Sequence, residues 1–272
     1  QKHVAKWLDI ASYQLDAEFI ATTGDNFYDN GIASVDDPYW ISSYEAVYHQ
    51  PHLFINWHPV LGNHDYRGNW QAQIDYSVKS RRWEMPAQYY SKTLALDDGA
   101  TALLLFIDTS PLNPDYAREA KYQEAYEQGA SEQLSWINTM LAQDQYTWKV
   151  VIGHHPLYSS GKRYGKTNAI KDVLEPVFHK HNVNLYIAGH EHDLQHNQLA
   201  GDELVHVVSG GGSEVRPVGN YEFTQFAKST GGFVSVSMTA KSIFLNYIDH
   251  QGKKIYAHTI DKPNTASSSS TL

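Results

Sequence analysis

Four short stretches carry the residues that can do chemistry. They are Gly24-Asp25-Asn26-Phe27-Tyr28, Gly62-Asn63-His64-Asp65, Gly153-His154-His155-Pro156 and Gly189-His190-Glu191-His192. Each begins with Gly directly after an apolar run, and a glycine there lets the backbone turn sharply and aim the next side chain into a crevice. Together they offer carboxylate, phenol, amide and imidazole groups, a mixed O/N set suited to iron, manganese or zinc. His190 and His192 are two apart, so in an extended segment they share one face and reach adjacent ions. Asp25 has two carboxylate oxygens with which to bridge two cations. Such a pair clamps a phosphoryl group and lowers the pKa of a bound water. Turn and capping chemistry accounts for any one cluster alone, but not for four of them at strand ends in one chain.

Composition narrows the alternatives. The chain has 272 residues, a formal net charge of −9, 15 His and no Cys. Without Cys there is no disulfide scaffold, thiolate zinc site or thiol nucleophile. The negative charge disfavours a nucleic-acid partner, and a negatively charged substrate then needs a local positive source, such as a metal or an Arg/Lys cluster. Charged residues at 19% beside aromatics at 13% oppose disorder. The longest uncharged apolar run, 100–107, is too short to span a membrane. A monomer without nucleic-acid or membrane partners is expected. Residue 1 is Gln, and residues 1–20 contain Lys6, Asp9, Asp16 and Glu18, so they are not an apolar signal segment. The chain reads as a processed or truncated product.

The clusters need elements to position them. Residues 2–15 show helical apolar spacing. Residues 17–22 read as a buried strand running into the first cluster. Asp37-Pro38 opens a helical stretch to about residue 48, 58–62 reads as a short strand ending in the second cluster, and 69–83 as a helix. Strands follow at 89–96 and 101–110. Residues 111–130, polar and Tyr-rich, read as an insertion. Ser131 is the expected N-cap of a helix to about residue 143, and Thr167 of one to about residue 181. Strands at 147–153 and 184–189 run into the third and fourth clusters, and short strands dominate from 193 on. The tail, 263–272, is low-complexity and expected to be disordered. Alternating strands and helices followed by strands predict an α/β fold, with helices flanking two sheets, in one domain over 1–262.

The motif series GDNFYDNG, GNHDY, GHHP and GHEHDLQ resembles that of the calcineurin-like metallophosphoesterases. Tyr28, three residues after Asp25, makes the pattern similar to purple acid phosphatases of the short, tartrate-resistant type, over about residues 1–260. The resemblance implies a four-layer α/β/β/α sandwich of mixed sheets and an acid phosphatase that hydrolyses phosphate monoesters and releases phosphate. It implies two metals. Asp25 would bridge them, Tyr28 and His192 would bind the first, Fe(III), and Asn63, His154 and His190 would bind the second, Fe(II), Zn(II) or Mn(II). A metal-bound hydroxide would attack. His64 would be catalytic, assisting the leaving group, and Asn63, His64, His155 and Tyr164 would face substrate. The alternatives on this scaffold are a phosphodiesterase, a nucleotide pyrophosphatase, or an inactive phosphoester-binding fragment.

Two departures from the family pattern stand out. The family's earlier Asp-x-Gly motif is absent, and only 24 residues precede Asp25, fewer than the roughly 30 that a strand–helix–strand unit needs. The chain therefore reads as lacking the first strand and one metal ligand, and neither Asp9 nor Asp16 is placed to substitute. The family's His-Gly pair after the third cluster is replaced by Lys162-Arg163-Tyr164-Gly165, where Tyr164 or Arg163 would contact phosphate. Members of this type are mostly exported, so the expected location is secreted or periplasmic.

Overall fold

The computed structural model describes residues 1–212 and 214–262. The expected disordered tail therefore lies outside the described residues. Its centre is a seven-stranded mixed sheet in the order β3-β4-β5-β6-β8-β7-β9. These strands are β3 (Tyr90–Ala95), β4 (Thr101–Phe106), β5 (Trp148–Ile152), β6 (Leu185–Ala188), β7 (Leu194–Asn197), β8 (Val205–Ser209) and β9 (Thr224–Lys228). β4, β5, β6 and β8 run parallel, and β3, β7 and β9 pair antiparallel. Strands β1 (Phe19–Ala21) and β2 (Asn56–His58) form a parallel pair. Strands β10 (Gly232–Met238), β11 (Ser242–Asp249) and β12 (Lys254–Asp261) form an antiparallel sheet.

The alternation of side chains along β4 explains the layering. Ala102, Leu104 and Phe106 face a core shared with Ile243, Leu245 and Tyr247 of β11. Leu103, Leu105 and Ile107 face α4 (Ser131–Leu141) and α5 (Asn168–Lys180). Helix α5 buries Ile170, Leu174 and Phe178, four residues apart, on this side. Each fully buried apolar side chain here contributes about 2 kcal/mol of transfer free energy. Helix α1 (Lys2–Gln14) packs on β10, outside the small sheet. The packed sheets are thus flanked by helices on both sides, an α/β/β/α order.

Several elements differ from the sequence expectation. The strand expected at 58–62 lies at Asn56–His58, because Pro59 has no N–H to extend the ladder. The helix expected over 69–83 is shorter, α2 (Gln71–Lys79); Ser80 is extended and its hydroxyl accepts the N–H groups of Arg82 and Trp83. The helical stretch expected to residue 48 is a single wide turn, Trp40–Glu45. Ser131 is not the cap of α4, since Ala130 occupies that position without a side-chain bond. Thr167 does precede α5, but its hydroxyl donates to Pro156 O (2.6 Å) instead of capping. Strands β7 and β9 escaped prediction because LQHN and TQFAK lack an apolar alternation. Residues 111–130 form short 3₁₀ turns and α3 (Gln123–Glu127), with Tyr116 and Tyr122 buried.

Candidate metal centre

The four clusters meet because the strands before them are neighbours. The carboxyl ends of the adjacent parallel strands β5 and β6 place His154 and His190 side by side, and Gly189 N–H donates to His154 O (2.9 Å). The carboxyl ends of the separate β1–β2 pair do the same for Asp25 and Asn63. Gly24 takes a positive φ of 83°, the expected sharp turn. Gly62 serves closeness instead: a Cβ there would overlap the Asp25 backbone N and carboxylate. Asp25 and His190 themselves adopt positive φ, 52° and 64°, a strained conformation of the kind that clusters at functional sites.

The predicted ligands form one contiguous chain of contacts. His190 Nδ1 lies 3.0 Å from His154 Nε2, which lies 3.2 Å from Asn63 Oδ1 and 3.4 Å from Asp25 Oδ1. Tyr28 OH donates to Asp25 Oδ2 (2.8 Å) and lies 3.3 Å from His192 Nε2. Asp25 Oδ1 also accepts His64 N–H (2.8 Å).

The orientation of these donors fits a cation. His154 Nδ1 faces Thr23 O at 2.7 Å, so it carries the ring proton of a neutral imidazole and turns the Nε2 lone pair inward. Asn63 Nδ2 donates to Tyr122 OH (2.7 Å), which turns Oδ1 inward as well. Two acceptors 3.2 Å apart repel unless a proton or a metal lies between them. Burial opposes charging His154, yet Asp25 and the Thr23 carbonyl raise its pKa above the ordinary value. Burial by itself raises Asp25, but the neighbouring His154, His64 and His190 outweigh it and hold the carboxyl well below its usual range. His192 is pushed down to about 4 by burial and by Arg216. His190 is lowered by burial and by its histidine neighbours, with Arg163 contributing. Neutral imidazoles are the metal-binding form. Burial, then Asp25, raises the Tyr28 phenol above its ordinary value.

The remaining predicted residues sit differently. His64 is half-buried, and its Nδ1 bonds Asp29 O (2.7 Å), leaving Nε2 for another partner. His155 has a ligand atom within 4.8 Å of those of His154 and His190, but both its ring nitrogens are engaged, with Thr109 Oγ1 and Tyr116 OH at 2.7 Å each. The Tyr164 ring is half-exposed and stacks on Tyr221 (3.8 Å between centroids), not on the histidines. Arg163, one residue earlier, exerts its charge on both His155 and His190. Arg216 donates its N–H to His192 O (2.9 Å) and, with Lys162, lines a cavity of about 520 Å³ beside the centre. Asp9 accepts His52 N–H (2.9 Å) and takes no part in the cluster.

Sequence reasoning missed the supporting residues. Asp65 is fully buried and accepts the N–H groups of Asn26, Phe27 and Gly62, tying the first cluster to the second. Burial, with Asp25 adding to it, lifts its pKa to about 7. Tyr116 and Tyr122 come from the segment read as an insertion. Their only signal was the abundance of Tyr in an otherwise polar stretch.

Comparison with known proteins finds relatives of nearly the whole chain. Residues 2–194 match the family described as calcineurin-like phosphoesterase. The chain is 32% identical to purple acid phosphatase 4 of Arabidopsis thaliana, over 94% of this chain and 77% of that protein. It is 33% identical to tartrate-resistant acid phosphatase type 5 of Sus scrofa, over 89% and 75%. Among solved structures, GAP50 of Plasmodium, named as the anchor in its inner membrane complex, superposes with a TM-score of 0.83 at 24% identity, covering 97% of this chain and 85% of that one. The purple acid phosphatase PPD1 of yellow lupin superposes at 0.71 with 17% identity, over 97% and 49%. Among the described residues no helix is long and apolar enough to cross a membrane.

Proposed function

Since the chain belongs to the calcineurin-like phosphoesterase family, as a homologue of the purple acid phosphatases, we propose that it hydrolyses phosphate monoesters at a dinuclear metal centre. The observation that carries this reading is the inward-facing acceptor pair, His154 Nε2 and Asn63 Oδ1, beside Asp25. Asn63, His154 and His190 would hold a divalent ion, Tyr28 and His192 an Fe(III), and Asp25 would bridge them. Such a pair of cations supplies a positive field for the phosphate and a water of lowered pKa. Tyrosinate is a hard anionic donor that matches a hard trivalent cation, which favours Fe(III) at that position.

The chain's own residues do the rest. Asp25 orients the His64 backbone and the Tyr28 hydroxyl at once. His64 offers its Nε2 proton to the leaving oxygen, with Asp29 O fixing the ring through Nδ1. Arg163 and Arg216 flank the centre and add positive charge in a chain of net charge −9. Of the two residues read as phosphate contacts, Arg163 is favoured over Tyr164, whose ring is committed to Tyr221. His155, with both nitrogens engaged, would act on the substrate by positioning its neighbours His154 and His190.

The test compares p-nitrophenyl phosphate with bis(p-nitrophenyl) phosphate on protein of known metal content. Faster monoester cleavage, two metals per chain and a visible tyrosinate–iron band are expected. Faster diester cleavage would overturn the monoester assignment, and a colourless, metal-free, inactive chain would overturn the enzyme.

A further inference from the structure

A second set of ligand-type side chains converges away from this centre. Helix α5 carries Glu175 and His179 four residues apart, so both stand on one face. Asp202 reaches them from the turn between β7 and β8, with its Oδ2 3.0 Å from His179 Nε2. One donor atom from each of the three lies within 4.8 Å of the others. Asp202 is held in place: its Oδ1 accepts Leu204 N–H (3.0 Å), its own N–H donates to Leu199 O (3.1 Å), and Gln198 Nε2 donates to its carbonyl (2.7 Å). Glu175 Oε1 accepts Tyr158 OH (2.6 Å), which fixes the carboxylate and leaves Oε2 for another ligand.

An independent observation lies next to them. His206 on β8 is only 2% exposed, yet neither ring nitrogen has a hydrogen-bond partner among the described residues. Buried polar groups without partners are costly and call for an explanation. Its ring packs 4.8 Å from that of Tyr158, the residue that holds Glu175. The charges of Asp202 and His179 both act on it, and burial keeps it neutral.

We propose that Glu175, His179 and Asp202 form a separate site for one zinc-class divalent cation, with the unpartnered His206 imidazole beside it. One imidazole and two carboxylates match the N/O preference of zinc, whereas magnesium and calcium favour sites built from oxygen alone. The site shares no residue with the phosphoesterase centre. Its ion would pin the C-terminal half of α5 to the β7–β8 turn. It does not depend on the activity proposed above.

The test is equilibrium dialysis of the full chain against micromolar zinc, with metal counted by mass spectrometry. Wild type is expected to retain one equivalent more than His179→Ala or Asp202→Asn. Zinc is also expected to raise the melting temperature of wild type more than that of either variant. His179 is 45% exposed, so its replacement leaves the fold intact, which circular dichroism checks. Equal zinc content in wild type and both variants, or uptake only at millimolar zinc, overturns the proposal.

Discussion

Replacing Tyr122 with Phe removes one hydroxyl that supports the metal centre and keeps the ring. The ring stays, with Arg67 5.0 Å and Lys121 4.8 Å from its centroid. The hydroxyl that accepts both Asn63 Nδ2 at 2.7 Å and the guanidinium of Arg67 is removed. Asn63 is 2% exposed, so water cannot replace that acceptor. A buried donor left without a partner costs about 1–3 kcal/mol of stability. In a domain of this size that lowers the melting temperature by roughly 2–4 °C per kcal/mol. The larger consequence is orientational. With Nδ2 released, the amide is free to rotate and Oδ1 no longer faces His154. Partners that orient a metal ligand are each worth about 10–100-fold in metal affinity or activity, equivalent to about 1.4–2.7 kcal/mol. The assay is a titration of metal-depleted protein with the divalent ion, followed by turnover at each point, with thermal unfolding in parallel. The expected midpoint shifts to about 10–100-fold higher metal. A wild-type titration curve accompanied by a lowered melting temperature would refute the reasoning, because the hydroxyl would then support the fold alone.

Three further outcomes follow from the same geometry. Gly62→Ala forces a Cβ into the Asp25 backbone and carboxylate; about 1 Å of displacement costs roughly 10²-fold in rate, and near-native turnover would contradict the close approach. His64 has a pKa depressed below 6.5, chiefly by burial. As a proton donor it loses its active form as pH rises through that value, so activity declines below the ordinary histidine range, and His64→Gln removes this alkaline limb; an unchanged pH profile would rule the donor out. His58 lies between Phe19 and Phe106, and burial pushes its pKa down to about 4. A depressed folded pKa contributes stability above about 6.5 that is lost as pH falls toward about 4. His58→Phe is therefore expected to lose less melting temperature than wild type between pH 7 and 4.5, and parallel slopes would refute it.

Much of the centre was legible because each cluster is local. A glycine after an apolar strand followed by polar residues is readable within five positions. Gly24 behaves as that reading expects, while Gly62 answers to a neighbour 37 residues away and not to its own φ. Helix α5 was legible from its spacing of Ile170, Leu174 and Phe178. Strand β7 was not, because Gln195 and Asn197 are buried by bonding Ser160 rather than by apolar contact. Such pairing leaves no periodic trace in the chain.

The sequence by itself determined the donor types, their order and the family they belong to, since these depend on residues a few positions apart. The tertiary structure decided which donors face each other and what holds them. Asn63 meets His154 across 91 residues, and Asp25 meets His64 across 39. His64 and His155 illustrate the difference. Each follows a predicted ligand directly, and nothing local separates them. One keeps a ring nitrogen available, and the other has both bonded by Thr109 and Tyr116. That distinction rests on where a Tyr-rich segment folds, which is set by burial of Tyr116 and Tyr122 against the sheet ends and not by any spacing within the motifs.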